Sequence, residues 1–558
     1  MAINNYPGFD YPEWEVLGLP IAAASSSANN SNGTCISEDY RNNDYAHPLF
    51  YFLNSNTSMR QYNHKMCAWQ EVSTSTGLVG AVGTGATTKF IPSWSPSGTL
   101  AAGGSTTTVI LSTALSSSVL ANQLANRGDG LGFIIRITGK SAGGSGKTEE
   151  RRVIANTAGT TPTLELDSPL SFTPASGDGY EFLSGSYIMI NPSSTASGTF
   201  RRYDVLLGTF TTLSTSSPFA SLPASGNTFI CFDPSYVPNN RKTGEGQVVG
   251  AGTYNGGLLG CLTATATAAG TITGETSIGD YLFPANTFRN YQIRIVEDTT
   301  TPTAVGQIRK ISSHTSPGGG AGAVYTLQSN WTVTPSSTCK FVIEHYGNNI
   351  MLLAGGTTTV YNYNIASIGG ATADTWDTTT WAARGSSAQQ TGAFSELIFG
   401  VVPNKIGSLK SSNIFCTRGN SASVDVFDIS GASTGSWTTG QSIIDMTSNG
   451  LEIFGSGDLP HMAYNPHSQD GKYIYFCPGA NNSITTANRP FGRIDTTNFK
   501  YSKFAGPKTI TGTVAPATGK TAFVTLAYRG TDKVVSYVTP RPMTASGTPD
   551  YWRCLLTF

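Results

Sequence analysis

The chain has 558 residues, and 34 Lys and Arg balance 34 Asp and Glu, so nothing supports electrostatic capture of nucleic acid or acidic lipid. Only 12% of its residues are charged, about half the usual ~25%, while Gly alone numbers 63. Gly, Ser and Thr with many aromatics suit short strands and tight turns rather than long helices, and no run of about 18 apolar residues could span a membrane.

The amino terminus, MAINNYPGFDYPEWEV, has neither a basic region nor an apolar core, so it does not read as a signal peptide. The first strand cluster, LFYFLNSNTSMRQYNHKMCAWQEV (49–72), has an apolar strand from Leu49 to Leu53, a strand around Tyr62 and a third from Trp69. The order recurs at 187–213, with Tyr187 to Ile190, FRRYDV and Phe210. It recurs again at 350–381, where Ile350 to Leu353, a Gly355-Gly356 turn, Tyr361 and Tyr363 precede Trp376 and Trp381. Two more copies are NIFCTRGN, VDVFDI and Trp437, then KYIYFCPGAN, GRID and Phe504. The last unit, KVVSYV (533–538) and YWRCLLTF (551–558), lacks its third aromatic strand. Trp14-Glu15-Val16 parallels Trp69-Gln70-Glu71-Val72 and is expected to supply it. The best helix candidate is 115–127, LSSSVLANQLANR.

Apolar run, diglycine, Tyr strand and Trp, in that order, resemble one blade of a kelch-type β-propeller, whose repeat is about 40 to 50 residues. The expected fold is all-β: a six-bladed kelch-like propeller in which residues 12–18 form the outer strand of the sixth blade. Pairing strands from the two termini would close the ring and remove its exposed edges. A further unit within 215–265 would make seven blades.

Two intervals, 105–185 and 270–346, are too long for loops. They parallel each other. ANQLANRGDGLGFIIRI (121–137) matches ANTFRNYQIRI (285–295), RRVI (151–154) matches RKIS (309–312), and TLELDSPLSFTP (163–174) matches TLQSNWTVTP (326–335). YEFL and FVIE follow in turn. The expected organisation is propeller (1–104), inserted β-module (105–185), propeller (186–269), second related module (270–346) and propeller (347–558). Each module enters just before a blade's second strand, so the two should stand side by side on one face.

No motif supplies a reaction. SAGGSGKT (141–148) resembles a phosphate-binding loop but has Ser141 where the first Gly belongs, and EERRVIAN after it reads as a strand, so it is a hairpin tip. His47, His64, His314, His345, His461 and His467 have no metal spacing. Cys35, Cys67, Cys231, Cys261, Cys339, Cys416, Cys477 and Cys554 form no CxxC pair and read as reduced, buried thiols. SQDGKYIYF (468–476) is a turn and strand without the closing Trp of a sialidase Asp box, and no GxSxG elbow occurs. No catalytic, cofactor-binding or metal residue is therefore assigned, no cofactor is expected, and the chain is not read as an enzyme. Asn54 to Tyr62 and Asn362 to Trp381 combine aromatic faces with amides and are the candidates for binding sugar.

The text GGSGKTEERRVIANTAGTTPTLELDSPLSFTPASGDGYEFL resembles β-modules of structural proteins of tailed bacteriophages, over 133–183 and more loosely over 290–346. The resemblance implies a virion tail or neck component (nozzle, sheath, collar or fibre attachment), made in the host cytoplasm. It also implies a homo-oligomeric ring that contacts other virion proteins, without nucleic acid or a membrane span. A host-surface glycan binder or depolymerase on the same scaffold is the alternative.

Overall fold

The structure is a computed structural model. It describes residues 96–126, 132–182, 261–275, 283–318, 320–344, 379–385 and 423–444, together with the strands named below and a few adjoining turn residues. The protein is all-β, and its described helical content is two short 3-10 turns, Gln123–Ala125 and Pro302–Ala304.

Six antiparallel sheets of four strands make up most of the chain. The first contains Ile36–Glu38, Leu49–Ser55, Ser58–Asn63 and Ala68–Ser73. The second contains Thr87–Ile91, Ser186–Ile190, Phe200–Asp204 and Thr209–Thr212. The third contains Thr228–Cys231, Asn349–Leu353, Val360–Asn364 and Thr375–Asp377. Leu397–Pro403, Leu409–Thr417, Ser423–Asp428 and Ser436–Ser442 form the fourth. His461–Tyr464, Tyr473–Cys477, Phe491–Asp495 and Tyr501–Phe504 form the fifth. In the sixth, Phe523–Arg529, Lys533–Thr539 and Trp552–Thr557 are completed by Glu13–Val16 from the other end of the chain, with Trp14 opposite Cys554.

The first strands of successive sheets lie beside one another, and the sixth returns to the first, so the six sheets close into a ring. Neighbouring sheets are also tied at single points. Ile444 and Lys500 form a parallel bridge between the ends of the fourth and fifth sheets. Of the interval 215–265, Thr228–Cys231 is the inner strand of the third sheet and Leu262 onward belongs to a barrel. No seventh four-stranded sheet occurs among the described residues.

Two six-stranded units interrupt the ring, each between the first and second strands of a sheet. The first has strands Ser97–Thr99, Thr108–Ile110, Ile134–Thr138, Thr148–Asn156, Thr163–Leu166 and Gly179–Phe182. Their lateral order is first, sixth, third, fourth, fifth, second, and a Leu100–Leu111 bridge joins the two edges. The second unit, Leu262–Ala268, Thr271–Gly274, Gln292–Glu297, Ile308–His314, Val324–Leu327 and Lys340–Glu344, is a closed barrel with the same order. Both units start before the boundaries expected at 105 and 270. SGT is too short, and LTATATA too poor in large apolar residues, to signal a buried strand.

The likeness between the units extends to detail. Each fourth strand carries a bulge at the same point, between Val153 and Ala155 and between Ile311 and Ser313. Asn122 (φ 61°) and Asn286 (φ 66°) occupy the left-handed region at matching turns, a conformation Asn tolerates better than most residues. Arg151 Nε donates to Pro169 O at 3.1 Å and Arg309 Nε to Asn330 O at 2.8 Å. In each case the guanidinium also donates to the carbonyl of the preceding residue.

Alternation along the strands fills both interiors. Ile135, Ile137, Tyr180 and Phe182 point inward in the first unit, and Ile293, Ile295, Phe341 and Ile343 in the second. The stretch 115–127, the best helix candidate, holds as helix only the 3-10 turn Gln123–Ala125 among its described residues. Leu115 N–H donates to Thr160 O and Val119 N–H to Gly159 O, so that backbone pairs with a neighbouring loop, and Leu115 and Val119 are buried outside any helix while Leu124 is buried in the 3-10 turn.

Candidate functional site: the junction of the two barrels

The described residues with the most concentrated chemistry lie where the two units meet: the first, a curled six-stranded sheet called the first barrel below, and the second, the closed barrel. Arg136, on the third strand of the first barrel, stands opposite Glu150 on one neighbouring strand and Glu181 on the other. It donates to Glu150 Oε1 at 3.0 Å and to Glu181 Oε2 at 3.3 Å. The same Glu181 oxygen lies 3.9 Å from Arg294 of the second barrel. Arg294 then pairs with Glu344 at 3.1 Å, which also accepts from Gln292 at 2.9 Å. A charged row on the outer face of a barrel would ordinarily meet water, yet Arg136 is 2% exposed and Glu344 1%.

The row is buried because the other barrel covers it. Burial alone would raise the Glu344 carboxyl, but Arg294, Arg136 and the Gln292 hydrogen bond hold it below the ordinary glutamate range. Glu344 therefore stays ionised, its charge balanced by the Arg294 guanidinium beside it.

The hairpins after the third strands interlock around this row. Asp298 N–H donates to Gly146 O at 2.7 Å, and Lys147 bridges Glu297. Gly146 has φ 69°, and a Cβ there would lie 2.2 Å from Asp298 O, so only Gly permits this approach. In return, Gly306 on the second barrel's hairpin sits against Thr138, where a Cβ would be 3.3 Å from the Thr138 methyl. Each barrel therefore offers equivalent elements to the other.

SAGGSGKT is this docking hairpin. The strand Thr148–Asn156 follows it, not a helix, and its backbone binds the neighbouring barrel.

Both barrels are fastened to the ring. Gln123 Nε2 donates to Leu206 O at 3.2 Å in the second sheet's turn, and Leu206 and Leu207 extend the first barrel's core. Asn290 Nδ2 donates to Ile429 O at 2.7 Å and Ala432 O at 2.9 Å in the fourth sheet's turn. Lys310 Nζ lies 5.1 Å from the centroid of Trp381.

Trp381 lies beyond the strand Thr375–Asp377, not at the start of one. It is 3% exposed, its indole N–H donates to Asn362 at 3.1 Å, and its ring meets Phe427 edge-on at 5.6 Å. Phe427 in turn packs on Trp437 at 4.9 Å, and beside them Arg384 forms a buried ion pair with Asp425. These residues join the third sheet to the fourth. Of the stretch Asn362 to Trp381 considered for sugar, Asn362 and Trp381 themselves are part of a packed interface, while the side chains of 363–378 and of 54–62 lie outside the described residues.

Of the histidines, His314 is buried within the second barrel. His461 starts a strand whose side chains lie outside the described residues, as do His47, His64, His345 and His467. Among the described residues no group of His, Cys, Asp and Glu is arranged to hold a metal ion. Cys261 and Cys339 are thiols, not disulfides, and burial pushes them up to about 11 and about 12, respectively. Sequence reading missed Arg136, Glu181, Arg294 and Glu344. The Ile-Arg-Ile text shared by the two modules was the available signal.

No known protein-family model matches the chain, and no curated protein matches it. Among solved structures it is similar to a "putative 6-phosphogluconolactonase" from Bacteroides uniformis, at 11% identity over 75% of this chain and 94% of that one. The TM-score is 0.22, a level at which the likeness carries no argument about fold or activity.

Proposed function

We propose that the chain is a structural component of a tailed-phage virion, placed in the tail, nozzle, sheath or collar. On this reading the ring of six sheets is a kelch-like β-propeller closed by the two chain ends, and the paired barrels are its contact surface. The observation that carries the reading is the mounting of the barrels: two copies of one module, inserted in adjacent sheets, joined by the Glu181–Arg294 contact and the Asp298–Gly146 backbone bond, and tied to the second and fourth sheets. Such a unit resists relative motion, which suits transmission of load between neighbours better than it suits substrate turnover. Assembly as a homo-oligomeric ring that contacts other virion proteins, after synthesis in the host cytoplasm, completes the proposal.

Immunogold labelling of phage particles with an antibody to the purified chain tests this reading. Label confined to the tail or neck is expected. Particles that carry none of the chain, together with glycan binding by the soluble protein, would overturn it.

A further inference from the structure

His314 and Asn156 occupy the same place in the two barrels, each ending the fourth strand. Asn156 Oδ1 accepts the Leu124 amide at 2.8 Å, and His314 Nε2 accepts the Phe288 amide, also at 2.8 Å. Asn156 Nδ2 donates to Thr157 O at 2.7 Å, and His314 Nδ1 lies 2.9 Å from Thr315 O. Even the reverse bonds match. The backbone N–H of Asn156 donates to Asn122 Oδ1, and that of His314 to Asn286 Oδ1. The imidazole therefore imitates an amide, with its proton on Nδ1 and a bare Nε2.

An amide keeps that acceptor at any pH, whereas an imidazole loses it on protonation. The Phe288 segment also attaches the second barrel to the ring, through Asn290 two residues further on. We propose that His314 is an acid-sensitive pin. Once Nε2 is protonated the Phe288 amide loses its acceptor, the 283–291 segment loosens, and the second barrel's seat on the fourth sheet weakens. The first barrel, pinned by Asn156, does not respond.

The surroundings oppose a charged ring. Phe283, Phe288 and Tyr325 lie at 5.4, 5.5 and 5.4 Å from it. Burial lowers the imidazole's proton affinity most. The Thr315 carbonyl raises it, and the Arg289 guanidinium lowers it further. Burial raises the Tyr325 hydroxyl, so it stays neutral throughout. Because the folded value lies below the ordinary one, the pin contributes in full above about pH 6.5 and is lost as the pH falls toward the folded value.

Peptide-resolved hydrogen exchange on the full chain, corrected for intrinsic rates between pH 7.5 and 4.5, tests this. Exchange in 283–291 should rise about tenfold across that range, as loss of one buried hydrogen bond implies, while 121–126 stays flat. His314→Asn should abolish the rise. Asn156→His should create one in the first barrel, which supplies a second test if the first variant does not fold. A flat profile for 283–291 in the unaltered chain, or an undiminished rise in His314→Asn, would overturn the proposal.

Discussion

Glu181 of the first barrel and Arg294 of the second face each other at 3.9 Å, and each already has a partner on its own barrel. The contact links three ion pairs into a chain running from Glu150 through Arg136, Glu181 and Arg294 to Glu344. All its members but the half-buried Glu150 are removed from water, so losing one of them leaves a buried charge uncompensated. That asymmetry makes the junction sensitive to single substitutions and tolerant of some double ones.

Arg136→Ala should therefore cost about 3–5 kcal/mol of unfolding free energy. Replacing Arg136 and Glu181 together by apolar residues of similar size should cost less than the sum of the single changes. Denaturant titration of the three variants measures the coupling.

Gly146→Ala should cost about 1–3 kcal/mol, because φ 69° and the nearby Asp298 carbonyl both reject a Cβ. The loss should fall on the contact between the barrels. Limited proteolysis should then cut at 139–147 sooner than in the unaltered chain.

Trp381→Ala should cost about 3–5 kcal/mol. It removes the ring packed on Phe427 and the indole hydrogen bond to Asn362 Oδ1. Calorimetry should register the loss; an unchanged transition would mean that the third and fourth sheets do not depend on this contact.

The Glu344 carboxyl lies below its ordinary value, so its stabilisation is present above about pH 4.3 and lost as the pH falls through the lower folded value. Acid unfolding should thus meet the junction only in that range. Followed by circular dichroism, Glu344→Gln should weaken the fold at neutral pH and flatten the acid limb.

Much of the ring was legible because the sheets repeat one local order: an apolar strand, a turn, a second strand that carries Tyr in the first three sheets, and an aromatic one. The Trp14 and Trp69 parallel pointed to the strand that completes the sixth sheet, where Trp14 now lies opposite Cys554. The junction was harder to read. Arg136 and Arg294 alternate with isoleucines as residues on a solvent face do, and only a partner covering that face turns them into a buried row. Sequence holds no local sign of such cover. The 115–127 segment was the best helix candidate in a chain with no convincing long one, and the amides of Leu115 and Val119 pair with the 159–160 loop instead.

Cryo-EM of the purified chain at working concentration tests the central claim most directly. The account predicts copies arranged about a common axis, with each barrel pair against a neighbouring copy. Monomers at tens of micromolar, with the barrels exposed on every outer side, would contradict it.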